Sequence, residues 1–113
     1  QFSFYEFLES RGARTLIISY GVTARAAKAA YTELNRNGES VSLLVLKTLW
    51  PVPAQVIRGA VQNIKHIVVV EMNLGQYVRE IERVLAPREI AFYGQMNGEL
   101  IRPAQIKEVI LNG

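Results

Sequence analysis

Residues 71–76 read Glu71-Met72-Asn73-Leu74-Gly75-Gln76 and follow the apolar run His66-Ile67-Val68-Val69-Val70. A carboxylate, a carboxamide and a glycine therefore stand at the carboxyl end of a buried strand, where parallel α/β sheets place ligands and partner surfaces. Glu71 can partner a basic group and Asn73 can act as a two-point amide clamp. The local alternative is that Asn73 turns the backbone while Glu71 or Gln76 binds loop N–H groups. A general acid or base role for Glu71 lacks support, because no second carboxylate or histidine lies within sequence reach. Gly21-Val22-Thr23 ends an earlier apolar run and opens a helix. Free N–H groups and the positive dipole end can hold an anion there, but a lone glycine is neither a G-x-G-x-x-G fingerprint nor a phosphate loop. A plain turn is the simpler reading, with the Thr23 hydroxyl accepting a bond from a free backbone N–H as a helix cap. His66, the single histidine, precedes its strand, and with no cysteine in the chain a metal centre has no evident ligand set.

The elements that must position these residues alternate. Apolar strands are expected at 15–20, 41–46, 67–70 and 90–93. Each is followed by a helical pattern, at about 24–37, from Pro53 through Ile64, at 75–85, and from Pro103 onward. Gly38 suits the left-handed position just past the first helix, and Pro87 stops the third. Continuously apolar strands between amphipathic helices imply an α/β fold, a three-layer α/β/α sandwich with a mainly parallel sheet. Right-handed crossovers give the four strands, counted in sequence, the order 2-1-3-4. Gly21 and the Glu71–Asn73 pair should then lie side by side on adjacent strand ends.

The chain has 113 residues, half of them hydrophobic and a fifth charged, with a net charge of +3. That suits one domain at 13–113 behind a leader at 1–12. The basic residues are interleaved with acids, which argues against nucleic-acid or membrane-surface binding. No apolar stretch is long enough to span a bilayer. The absence of cysteine fits a cytoplasmic protein and leaves no thiolate for an iron–sulfur cluster. The leader carries Phe2, Phe4, Tyr5, Phe7 and Leu8, as either a short helix or an extended linker. With Trp50 or Leu74 it should form an exposed apolar patch, Phe4 and Phe7 included, that a further domain or subunit covers.

Four segments, in order, resemble the transketolase-C-like domain (domain II) of 2-oxoacid:ferredoxin oxidoreductase alpha subunits. They are Ser19-Tyr20-Gly21-Val22-Thr23, Lys47-Thr48-Leu49-Trp50-Pro51-Val52-Pro53, the run from Glu71 through Asn73 and Gly75 to Gln76, and Gly98-Glu99-Leu100-Ile101-Arg102-Pro103-Ala104-Gln105-Ile106. Val52 replaces the family's commoner Phe, Leu100 a Pro and Gln105 a Glu. The resemblance implies a parent enzyme that decarboxylates a 2-oxoacid oxidatively to an acyl-CoA. It would use thiamine diphosphate, Mg, an iron–sulfur cluster and coenzyme A, all held elsewhere, with ferredoxin as acceptor. This chain would then be a non-catalytic assembly domain, binding no cofactor and no metal, and contacting the other alpha-chain domains and the beta subunit. Gly21, Thr23, Trp50, Glu71, Asn73, Gly75, Gln76, Phe4 and Phe7 would be its interface or loop positions. Two rivals remain: a stand-alone flavodoxin-like module for a nucleotide or anion, and the equivalent domain of a transketolase or a pyruvate dehydrogenase beta subunit.

Overall fold

The computed structural model describes residues 4–47, 50–71, 77–88, 90–94 and 102–112. Five strands form one sheet: β1 (Tyr5–Leu8), β2 (Thr15–Tyr20), β3 (Val41–Leu46), β4 (His66–Glu71) and β5 (Ala91–Gly94), in the order β1-β3-β2-β4-β5. Four helices connect or follow them: α1 (Ala24–Arg36), α2 (Ala54–Ala60), α3 (Val78–Leu85) and α4 (Pro103–Asn112).

The four strands expected from sequence are present, parallel and in the expected order, with β2 paired to β3 on one side and to β4 on the other. Within the leader, the described residues form neither the short helix nor the extended linker expected. Its residues Tyr5–Leu8 form an antiparallel edge strand, with Tyr5 opposite Leu46 and Leu8 opposite Leu43. The physical reason lies in β3, whose six residues are all buried. Without β1 its outer backbone groups and flanking side chains would form an open apolar edge. β1 pairs with that edge and turns Phe7 to one core and Leu8 to the other. Glu6 fastens the strand further through a salt bridge to Lys28 of α1 at 2.7 Å.

Side-chain alternation along the strands divides the interior into two layers. Leu16, Ile18, Leu44, Leu46, Ile67 and Val69 face α2 and α3. Ile17, Leu43, Val45, Val68 and Val70 face α1 and α4. α1 presents Ala27, Ala30 and Leu34 to the sheet, and its small side chains allow close approach. It ends in a Schellman closure, in which the N–H of Glu39 donates to Leu34 O and that of Gly38 to Asn35 O. Gly38 takes φ +92, as its expected place past the helix requires.

α2 is shorter than its apolar pattern suggested. It ends at Ala60, and a turn with Asn63 at φ 65 carries Val61 and Ile64 into the core instead. The Arg88 guanidinium donates to the carbonyls of Val61 and Ile64, satisfying groups the shortened helix leaves open. α4 opens with the Gln105 side chain accepting from the Arg102 N–H at 2.7 Å, one half of a capping box. Glutamine supplies there the same acceptor that a glutamate would. No helix among the described residues is long and apolar enough to cross a membrane.

Candidate functional site: two surfaces at the carboxyl end of the sheet

The first surface is the topological switch point between β2 and β4. Ser19 pairs with Val70, so the Gly21 turn and Glu71 sit beside each other, as expected. A 3-10 turn, Gly21–Thr23, leads directly into α1. Thr23 does not cap the helix. It already has helical φ and ψ, and its hydroxyl points back to donate to Tyr20 O at 2.7 Å, with Val70 O at 3.1 Å. The side chain therefore stitches the ends of two neighbouring strands instead of holding a free N–H. Gly21 has φ +68, and a Cβ there would meet open space. Backbone conformation requires glycine at this turn, not the close approach of a ligand.

Glu71 is 1% exposed. The alternation that turns Ile67 and Val69 toward α2 and α3 turns Glu71 the same way, beside Tyr20. Its carboxylate, which the sequence offers as a partner for a basic group, is thus withdrawn from solvent at the end of β4. Asn73, Gly75 and Gln76, together with Leu74, lie outside the described residues.

An aromatic stack that sequence reading did not assemble continues from this point. The rings of Tyr20 and Tyr77 meet edge to face at 5.0 Å, and those of Tyr77 and Trp50 at 5.6 Å. Each residue was visible singly, but 57 positions separate Tyr20 from Tyr77 and no local spacing joins them. Burial pushes the Tyr77 phenol up to about 12, with the Glu80 carboxylate adding to the shift.

The second surface is the corner where β1 meets β3. Trp50 meets Tyr77 in that T-shaped contact yet stays 64% exposed. Phe4 and Tyr5 are 67% and 48% exposed. Tyr5, Pro51, Val52, Pro53, Ala54 and Val56 line an open groove of about 510 Å³ between β1 and the start of α2. Phe7 departs from the expected patch: it is partly buried and packs on the α2–α3 core. Phe2 lies outside the described residues.

His66 is exposed at the start of β4, at the far end of the sheet from both surfaces. Among the described residues no three His, Cys, Asp or Glu side chains gather closely enough to hold a metal ion. With no cysteine in the sequence, the residues present do not fit an iron–sulfur cluster held by thiolates.

Residues 13–106 match the family model described as pyruvate:ferredoxin oxidoreductase core domain II. The chain belongs to this family. The 2-oxoglutarate synthase subunit KorA of Methanothermobacter thermautotrophicus is 35% identical over 96 residues, which is 84% of this chain and 26% of the relative. The chain thus spans about a quarter of the length of that curated relative. Among solved structures, the core domain II chain superposes on 2-oxoglutarate:ferredoxin oxidoreductase from Magnetococcus marinus with a TM-score of 0.88 at 24% identity, covering 98% of this chain and 20% of that one. Transketolase from Campylobacter jejuni gives a TM-score of 0.69 at 14% identity, covering 96% of this chain and 18% of that one. At these identities the likeness is one of fold. It makes the core domain II architecture that of a transketolase-like domain.

Proposed function

We propose that this chain serves as the domain II of a 2-oxoacid:ferredoxin oxidoreductase alpha subunit, and that it supplies assembly surface instead of catalytic groups. The observation that carries the reading is the family match over residues 13–106. The geometry supports it. The Thr23 hydroxyl is committed to strand carbonyls and Glu71 is withdrawn from solvent, while the aromatic corner at Phe4, Tyr5 and Trp50 is open. In this reading the parent enzyme converts a 2-oxoacid to an acyl-CoA in the cytoplasm and passes electrons to ferredoxin. Thiamine diphosphate, Mg, the iron–sulfur cluster and coenzyme A belong to its other domains and to the beta subunit.

The test is a viologen-reduction assay with pyruvate or 2-oxoglutarate, coenzyme A and thiamine diphosphate. The chain by itself gives no reduction. The complete subunit, expressed from its gene together with its beta partner, does. Reduction by the isolated chain would overturn the assembly role. Calorimetric titration with nucleotides checks the stand-alone binding module: saturable binding near micromolar, about −8 kcal/mol, would favour that rival instead.

A further inference from the structure

The exposed aromatic side chains and the entry of the polypeptide coincide. β1 runs antiparallel to β3, so its first residues sit at the carboxyl end of β3: Tyr5 is opposite Leu46, and the Lys47 N–H donates to Phe4 O at 2.9 Å. Trp50 and Pro51 follow β3 at that same end, and Tyr5 and Pro51 both line the groove that leads to α2. Phe4, Tyr5 and Trp50 are three of the four large hydrophobic side chains most exposed among the described residues. In a subunit of the relatives' length, of which this chain spans about a quarter, any residues ahead of Phe4 reach the sheet through this corner.

We infer that the corner formed by Phe4, Tyr5, Trp50 and Pro51 is the seat of the preceding domain of the same polypeptide. The inference rests on the assembly reading above and deepens it by naming the face and its occupant. The alternative seat, the switch-point crevice, is poorly suited to an apolar partner. Its threonine is bonded internally and its carboxylate is buried. The corner instead offers a groove lined by Tyr5, Pro51 and Val52, with exposed Phe4 and Trp50 next to Tyr5 and Pro51 in the chain and Lys47 and Gln55 exposed as well, an apolar centre with a polar margin as in protein interfaces. Tethering also favours this occupant over a second copy. A domain that enters through the residues ahead of Phe4 would be held at high effective concentration next to the groove, which a free molecule is not.

Hydrogen exchange followed by mass spectrometry tests this, comparing the isolated chain with the complete subunit bound to its beta partner. Amides of residues 5–8 and 50–56 are expected to exchange about tenfold more slowly, or slower still, in the complete subunit. Trp50→Asp in the complete subunit should restore fast exchange there. In the isolated chain the same change leaves the melting temperature nearly unaltered, because the side chain is mostly in solvent. Equal exchange in the two forms overturns the inference. Protection in the complete subunit that fades as the subunit is diluted would assign the corner to a second copy and also overturn the inference. A complete complex that turns over 2-oxoacid while its corner stays open sinks this inference and leaves the assembly reading standing. A complete complex with no 2-oxoacid turnover sinks both.

Discussion

At the scale of single residues, Thr23 illustrates how one hydroxyl can serve the fold in a way its sequence position conceals. Ahead of a helix, threonine normally accepts from a free N–H. Here the 3-10 turn brings it into helical conformation one residue early, and its hydroxyl donates across the gap between β2 and β4. Thr23→Val should leave buried carbonyls short of a partner and destabilise the chain by about 1–3 kcal/mol in urea unfolding, while Thr23→Ser keeps most of the bond. Tyr77 allows a second test. Its phenol is pushed up to about 12 in the fold, above the value near 10 of an exposed tyrosine. The folded state thus holds this proton more tightly than the unfolded chain. The corresponding stability is fully present below about pH 10 and is lost as pH rises toward about 12. Ultraviolet titration should show one tyrosinate forming late. Tyr77→Phe should flatten the decline in stability across that window, and an equally steep decline in the variant would refute the assignment.

At the scale of elements, α4, the last helix of the four β–α units, and β1, the strand added to them, are held differently. α4 places Ile106 at zero exposure in the core beneath α1, with Lys107 reaching Glu33 at 2.9 Å. Ile106→Ala should cost about 2–5 kcal/mol by opening a cavity. Lys107→Ala should cost much less, because its partner Glu33 is only half-buried and remains in reach of water. β1 depends on pairing, on Phe7 and Leu8, and on Glu6. The Lys28 ammonium hydrogen-bonded to Glu6 holds that carboxyl below its ordinary value. That contribution is present above the ordinary carboxylate value and is lost as pH falls through the lowered one. Amides of β1 should therefore exchange faster, relative to those of β2, below about pH 4. Equal acid sensitivity in Lys28→Ala and the parent chain would show the contact to be idle.

At the scale of the whole molecule, the open corner should make the isolated chain self-associate. Sedimentation at rising concentration should show reversible dimers, and Phe4→Ser combined with Trp50→Ser should diminish them with the sheet intact. A strictly monomeric parent would contradict this. Phe7 is the wrong residue for that experiment, since it packs on the core and its replacement would loosen β1. The amino-acid sequence by itself determined the four β–α units, their order and the adjacency of the Gly21 turn to Glu71. Those follow from local periodicity and from the handedness of short crossovers, both of which act within some thirty residues. Gly38 at φ +92 was legible for the same reason. Only the tertiary structure decided the fate of the leader, the direction in which Thr23 bonds, the meeting of Tyr20, Tyr77 and Trp50, and the separation of Phe7 from Phe4. Each of these depends on what lies opposite in space. A four-residue strand has no core of its own and takes its register from β3, and a hydroxyl turns to whichever carbonyl the neighbouring strand presents.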